Sequence, residues 1–377
     1  MLLKFVIDGS RFKVETGETG GFTVKSAFGA LEVGYDDRPP EEALKEALAK
    51  APGAPLIIDE TVYAARKRKI DSFCGDMFVV NAREENKTLE TALEIVKYFR
   101  GREVSRRGEV VAVGGGITQE VAGFAAAIYK RGVRLRLFPS TLLAMADSCV
   151  GGKTSLNFDG AKNQLGLFYP PKNVTICPAF LKTLPARQIY GGLGEIFKSC
   201  VIGGEEALSA FETATANGMP PPDELTRLSR ISLLIKKAVT ERDEFDFSER
   251  AALNLGHTIG HAVEVLSNYK MPHGSAVAIG VCAACEISAD RGLLAAEDKK
   301  RIISAGRAVI SREAKAALKR LDVSRLGEVA RKDKKAEGGA VKFVALKGAG
   351  RVAFIDFPLN EVFFGLASDA LKAAADY

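Results

Sequence analysis

Residues 109–129, Glu-Val-Val-Ala-Val-Gly-Gly-Gly-Ile-Thr-Gln-Glu-Val-Ala-Gly-Phe-Ala-Ala-Ala-Ile-Tyr, decide the fold class. Glu109 to Val113 is a short β-run of near-continuous apolar residues, the pattern of a strand buried on both faces. Gly114, Gly115 and Gly116 end it, and Thr118 to Tyr129 continues with helical periodicity. Backbone N–H groups at such a helix start, together with the helix dipole, form a seat for phosphate. The triplet departs from the G-x-G-x-x-G fingerprint, and a structural tight turn is the plainer alternative for it.

The same alternation extends outward. A helix from Pro40 to Lys50 leads to a strand at Pro55 to Ile58. A basic helix near Thr61 to Ile70 precedes a strand at Asp76 to Val80, and Thr88 to Arg100 is helical again. Downstream, Leu135 to Phe138 supplies a strand that ends in Pro139-Ser140-Thr141. Strands and helices alternating at this length imply a mostly parallel, Rossmann-like sheet with helices on both faces. Asp59 ends one of these strands, where acids accept ribose hydroxyls in dinucleotide folds. Before this region, runs at Leu2 to Ile7, Phe22 to Val24 and Leu31 to Val33 read as an antiparallel N-terminal edge.

Beyond about residue 180 the pattern changes. Long helical segments span 185–203, 225–244, 249–267, 274–291 and 299–307, and 366–377 reads as a surface helix. A chain of 377 residues is long for one core. The expectation is an α/β domain over 1–180 and a mostly α-helical domain over 181–377.

Bulk properties narrow the class. A net charge of +6 from 53 basic and 47 acidic residues lacks the concentrated basic face of a nucleic-acid binder, but suits anionic small ligands. No apolar run approaches the ~20 residues that span a bilayer. Asp8 interrupts the N-terminus before a signal-peptide apolar region forms, so a cytoplasmic protein is expected. Six scattered cysteines fit reduced thiols better than a disulfide framework, and Cys282 and Cys285 fall in a small-residue helical run that reads as core packing.

The three histidines all lie between positions 257 and 273. His257 and His261 are four apart within Asn254-Leu-Gly-His-Thr-Ile-Gly-His, so a helix puts them on one face. Gly256 and Gly260 beside them each cost ~1 kcal/mol in a helix interior relative to Ala, which points to close approach by a ligand or another helix. His273 follows Met271-Pro272 at a helix start. A single histidine is ordinarily a hydrogen-bonded core residue, but three together point to a site. Two imidazoles plus a carboxylate make a three-ligand catalytic metal site with positions open for substrate. Spacing leaves it open whether both His257 and His261 bind, or one of them.

Late in the α/β half, Asp147-Ser-Cys-Val-Gly-Gly-Lys153-Thr and Gly160-Ala-Lys162-Asn163 read as polar, Gly-rich loops, the kind that carry function. Gly-Lys-Thr here is not a P-loop, because Asp147 stands where G-x-x-x-x-G-K-[ST] needs glycine. Glu195 and Lys198 are three apart on one helix face, an ordinary surface pair except for their apolar neighbours Ile196 and Phe197.

Taken together, these stretches resemble 3-dehydroquinate synthases and their sugar-phosphate cyclase relatives. The matching strings are Gly114-Gly-Gly, Ala122-Gly-Phe-Ala-Ala-Ala, Arg131-Gly-Val, Pro139-Ser-Thr-Leu-Leu-Ala and Asp147-Ser-x-Val-Gly-Gly-Lys-Thr. They continue through Lys162-Asn163, Leu181-Lys-Thr-Leu-Pro, Glu195-x-x-Lys198, Asn254-Leu-Gly-His-Thr-x-Gly-His and His273-Gly-x-Ala-Val-Ala-Ile-Gly. The resemblance implies a divalent metal, zinc or alternatively cobalt, on Glu195, His257 and His273, with His261 facing the substrate phosphate and its proton chemistry. It implies NAD across Gly114, Gly115 and Gly116, with Asp59, Glu84, Lys87, Glu120, Thr141 and Lys162 around it. Lys153, Asn163, Lys198 and His261 would grip the phosphate, with Arg131 supplied by a homodimer partner. Asp147 would meet substrate hydroxyls, and Lys236, Arg250 and Asn254 the carboxylate end, joined by Lys334 or Lys335.

Four positions, at three places, depart from the family pattern. Gln119-Glu120 replaces Gly-Asp, Ser275 replaces Glu after His273-Gly, and Ser199 replaces an aromatic or His. The expected substrate is a small phosphorylated sugar acid, 3-deoxy-D-arabino-heptulosonate 7-phosphate, since a buried Arg250 guanidinium calls for a carboxylate. The alternatives are a cyclase of sedoheptulose 7-phosphate or another sugar phosphate, a metal- and NAD-dependent alcohol dehydrogenase, and a pseudoenzyme.

Overall fold

Val110, Val111, Ala112 and Val113 are buried at the middle of a seven-stranded sheet in the computed structural model, which describes residues 1–17, 20–325, 336–337, 340–358 and 360–375. The chain divides into two units, Glu18–Leu184 and Met1–Gly17 with Pro185–Tyr377. The expected division near 180 lies close to this one. The first seventeen residues differ from expectation, because their strands pair within the second unit.

That pairing follows from the strands themselves. β1 (Leu2–Ile7) and β2 (Ser10–Glu15) alternate buried and exposed residues and form an antiparallel pair. β1 then runs parallel to a late strand at Arg351–Pro358, so the N-terminus is an inner part of a sheet closed by the chain's far end.

In the first unit the strands are β3 (Phe22–Val24), β4 (Leu31–Tyr35), β5 (Leu56–Asp59), β6 (Phe78–Val80), β7 (Glu109–Gly114), β8 (Arg134–Pro139) and β11 (Asn173–Ile176). Their order is β3-β4-β11-β8-β7-β5-β6, and only β3 runs antiparallel to its neighbour. The helices are α1 (Pro40–Lys50), α2 (Glu60–Asp71), α3 (Leu89–Gly101) and α4 (Gly116–Ile128). From β5 the chain passes outward to β6, and from β7 it passes the other way to β8. The switch point of the sheet therefore lies between β5 and β7, with Asp59 and Gly114 at their carboxyl ends.

The polar stretch expected to be loops is instead a hairpin of β9 (Lys153–Phe158) and β10 (Ala161–Phe168). Asp159 and Gly160 both have positive φ, 49° and 73°, which matches the right-handed twist of a two-residue hairpin turn. The period of two was present: Thr154 and Leu156 are buried, while Lys153, Ser155 and Asn157 share the other face.

The second unit is largely helical, as expected. Its helices are α5 (Ala186–Gly203), α6 (Glu205–Thr215), α7 (Pro222–Arg242), α8 (His257–Leu266), α9 (His273–Asp290), α10 (Ala296–Arg307), α11 (Arg312–Leu318) and α12 (Glu361–Ala375). It also holds a five-stranded sheet that the sequence reading did not assign, in which β12 (Ala336–Glu337), β13 (Ala340–Gly348) and β14 (Arg351–Pro358) join β1 and β2. One expected helix, 249–267, is broken. A 3-10 turn spans Glu249–Asn254, and α8 starts only after Gly256, whose φ of 76° no continuous helix accommodates. Cys282 and Cys285 are buried in α9, where burial raises both thiols, as core packing requires.

Candidate active site

Glycines bring the second unit's histidines to their partner. A Cβ added at Gly194 of α5 would overlap the carbonyl of Gly274 on α9, and one added at Gly280 would overlap that of Gly256. The three helices α5, α8 and α9 therefore touch backbone to backbone, and α9 is the close neighbour that the glycines around His257 called for. Glu195 follows Gly194, His273 precedes Gly274, and His257 follows Gly256, so the contacts that fix the helices also fix these side chains.

The result is a tight polar cluster. Glu195 Oε1 lies 3.0 Å from His273 Nε2 and 3.4 Å from His257 Nε2. Its other oxygen, Oε2, accepts from Lys198 Nζ at 2.5 Å, and both Glu195 and Lys198 are 2% exposed. One donor atom from each of Glu195, His257 and His273 lies within 4.8 Å of the others. The Nδ1 atoms face away: that of His257 lies 3.3 Å from the Leu255 carbonyl oxygen, and that of His273 lies 3.2 Å from Glu264 Oε1. The His261 ring stands edge-on to His257, with centroids 5.3 Å apart. Two imidazoles and one carboxylate, each imidazole backed by an acceptor on its far side, fit a divalent transition metal.

Electrostatics agree with that donor set. Burial opposes charge on Glu195, but Lys198 and the imidazoles outweigh it and hold its carboxyl well below the usual range. Burial lowers His257, which favours the neutral imidazole that ligates. Burial would also lower His273, yet Glu195 and Glu264 raise it to about 10, so a binding cation must displace its proton.

Arg250, 2% exposed, sits on the 3-10 turn before Asn254, and its Nη1 donates to the Glu244 carbonyl. Its loop is held by Asp243, which the sequence reading missed. The Asp243 carboxylate accepts from the backbone N–H of Phe247 at 2.9 Å, Ser248 at 2.7 Å and Arg250 at 3.0 Å. Lys236 is buried on α7, the helix that packs against the same turn. Lys334 and Lys335 lie outside the described residues.

In the first unit the glycine turn sits at the switch point. Gly115 caps α4 and Gly116 is its first residue. A Cβ at Gly114 would overlap the Thr118 side chain, and one at Gly115 would press on Thr141 Cγ2 at 3.1 Å. Asp59 Oδ1 accepts from the N–H groups of Thr61 and Val62 and so caps α2, while Thr118 Oγ1 approaches its Oδ2 at 3.5 Å. A bare backbone turn at a helix start, beside an acid at the next strand end, fits a dinucleotide pyrophosphate and ribose. Asp147 stands nearby in sequence on a π-turn, Ala144–Ser148, a local form frequent at functional sites.

A second network ties the hairpin to this region. Lys87 Nζ pairs with Glu120 Oε2 at 2.5 Å and donates to Asn163 Oδ1 at 2.6 Å and Ser155 Oγ at 3.2 Å. Ser155 Oγ also donates to Glu120 Oε1 at 2.5 Å, and Asn157 Nδ2 to Glu84 Oε1 at 2.8 Å. Lys162 Nζ is 3.8 Å from Glu84 Oε1. Burial raises the Glu120 carboxyl against the pull of Lys87 and Ser155. The structure thus gathers Glu84, Lys87, Glu120, Lys162 and Asn163, and adds Ser155 and Asn157, which strand alternation from Lys153 would have found. Lys153 itself is exposed at the start of β9. Arg131, exposed with a φ of 64°, follows the far end of α4 and is not among them.

A profile described as 3-dehydroquinate synthase N-terminal matches residues 77–191, and one described as 3-dehydroquinate synthase C-terminal matches residues 192–336. The chain is 41% identical over 238 residues to the 3-dehydroquinate synthase of Clostridium tetani, a match covering 62% of this chain and 64% of that protein. It is 36% identical over 310 residues to that of Opitutus terrae, covering 80% and 84%. The 2-epi-5-epi-valiolone synthase of Streptomyces hygroscopicus, solved with NAD+ and Zn2+ bound, superposes with a TM-score of 0.75 at 26% identity, covering 91% of this chain and 96% of that one. Among the described residues, no helix is long and apolar enough to cross a membrane.

Proposed function

The chain belongs to the 3-dehydroquinate synthase family, and from that premise we propose that it is an NAD- and metal-dependent, phosphate-eliminating cyclase. Its substrate is 3-deoxy-D-arabino-heptulosonate 7-phosphate and its products are 3-dehydroquinate and phosphate, so the enzyme serves aromatic biosynthesis by the shikimate route. It works as a cytoplasmic homodimer. The observation that carries the reading is the convergence of Glu195, His257 and His273, with Lys198 on the same carboxylate.

Glu195, His257 and His273 would hold the cation, which when bound would supply Lewis acidity toward a substrate hydroxyl. The glycine turn and Asp59, Glu84, Lys87, Glu120, Thr141 and Lys162 would hold NAD, which would supply reversible hydride transfer. Oxidation of the hydroxyl-bearing carbon would acidify the neighbouring C–H, and loss of that proton would form a C=C bond as the C–O bond to phosphate breaks. Lys153, Asn163, Lys198 and His261, with Arg131 of a second copy, neutralise the departing dianion. Return of the hydride would restore the carbinol; cleavage of the hemiketal C–O bond would then release a ketone and an enol, and the enol carbon would add to that ketone to close the carbocycle. Asp147 orients hydroxyls during these steps. Lys236, Arg250 and Asn254 bind the carboxylate.

Arg250 favours the carboxylated substrate over sedoheptulose 7-phosphate, since a planar guanidinium matches a carboxylate with paired, charge-assisted hydrogen bonds. The discriminating experiment offers purified, metal-loaded protein each sugar phosphate in turn and measures released phosphate. Release from the heptulosonate alone supports the assignment. Release from sedoheptulose 7-phosphate alone moves the enzyme to a different cyclase.

A further inference from the structure

The two imidazoles at the cluster are held differently. Both direct Nε2 toward the same Glu195 Oε1, at 3.0 Å from His273 and 3.4 Å from His257. Behind His257, Nδ1 faces a main-chain oxygen, that of Leu255, at 3.3 Å. Behind His273, Nδ1 faces a side chain, Glu264 Oε1, at 3.2 Å. A main-chain acceptor is fixed by the fold, whereas a side-chain acceptor is a replaceable feature of this sequence.

Glu264 reaches His273 because of how α8 and α9 meet. Gly260 lets α8 lie against Ala276 and Val277 of α9, and residues 267–272 turn the chain back between them. The last turn of α8 therefore stands beside the first residue of α9. Glu264 also lies seven positions after His257 and three after His261, on the helical face that carries both imidazoles. Its side chain is 14% exposed and lies against the His273 ring.

We propose that Glu264 is the positioning residue for His273: it accepts the Nδ1 proton, fixes that tautomer and turns Nε2 into the centre formed with Glu195 and His257. This rests on the metal reading given above. A charged acceptor behind a ligating imidazole also raises the basicity of the ligating nitrogen, and loss of such partners typically weakens metal binding by about 10–100-fold. Glu264 touches neither cation nor substrate and acts through His273 alone.

The test uses Co2+ and Zn2+ as the probes, with affinity read by competition against a chromogenic chelator. Two near-isosteric variants separate packing from hydrogen bonding. Glu264→Leu keeps bulk and loses the acceptor, whereas Glu264→Gln keeps an acceptor oxygen and loses the charge. The expected result is binding about 10–100-fold weaker in Glu264→Leu, with Glu264→Gln between that variant and wild type. A second measurement needs no variant. The chain has three histidines, so the ring 15N spectrum of the zinc-loaded wild type contains three spin systems, and His273 should carry its proton on Nδ1. The proposal is overturned if Glu264→Leu binds as tightly as wild type, if Glu264→Gln is as weak as Glu264→Leu, or if His273 coordinates through Nδ1. Those outcomes leave the metal reading standing. Failure of the wild type to bind either ion stoichiometrically overturns the metal reading itself, and the proposal with it.

Discussion

Gly194 on α5 and Gly274 on α9 are packed so closely that a Cβ on either would overlap the backbone of the opposite helix. The contact sets the register of the cluster, because Glu195 and His273 are the residues next to these glycines. Gly194→Ala must push α5 away from α9. A loss of about 1–3 kcal/mol is expected from overpacking, read as a lower denaturant midpoint, together with weaker Zn2+ binding. An alanine variant with unchanged stability and metal affinity would show that the helices can separate without disturbing the site.

Glu120 replaces the shorter acid usual in the family and takes Lys87 as its partner. Glu120→Ala leaves a nearly buried ammonium with only neutral acceptors, Asn163 and Ser155. Destabilisation of about 1–3 kcal/mol is expected, at the low end of such losses because Glu120 is partly exposed. An increased KM for NAD should accompany it. Thermal unfolding and NAD titration of the variant check both.

Asp243 organises the loop that carries Arg250. Burial alone would raise its carboxyl, but the N–H groups of Phe247, Ser248 and Arg250 outweigh it and hold the group below its usual value. A lowered folded value means that the stabilisation is complete above about 3.9 and is lost as pH falls through the folded value. Asp243→Asn should therefore be less stable than wild type at neutral pH, with the gap closing on acidification below about 4. Urea titrations at pH 7 and pH 3.5 read the difference directly; a gap that widens in acid would contradict the sign.

Arg250→Met conserves volume and removes the guanidinium. Truncating one member of a buried charged pair costs about 2–5 kcal/mol, so kcat/KM for the heptulosonate phosphate should fall at least about 30-fold. Turnover of sedoheptulose 7-phosphate should change far less. Equal losses on both substrates would remove the carboxylate role from Arg250.

Much of this was legible in sequence because it depends on local pattern. The buried run before Gly114 marks β7, and alternation through Leu135 to Phe138 marks the parallel sheet. Glycines beside histidines signalled the close packing of α8 on α9. What escaped notice depends on distant or short elements. The pairing of β1 with β14 joins opposite ends of the chain, and no local pattern encodes it. The hairpin of β9 and β10 is polar on one face, so its alternation looked like loop composition, although Asp159-Gly160 is a hairpin turn pair. Glu264 was hidden for another reason. Its spacing from His257 and His261 shows a shared face, but only the fold brings that face to His273.

The most direct test of the cyclase assignment counts phosphate against cofactor. Metal-loaded protein is incubated with 3-deoxy-D-arabino-heptulosonate 7-phosphate and substoichiometric NAD, while inorganic phosphate and absorbance at the NADH band are followed together. Many phosphates released per NAD, with no accumulation of NADH and no release after metal removal, is the expected result. NADH accumulating in proportion to product, without phosphate, would contradict it and identify a dehydrogenase on the same fold.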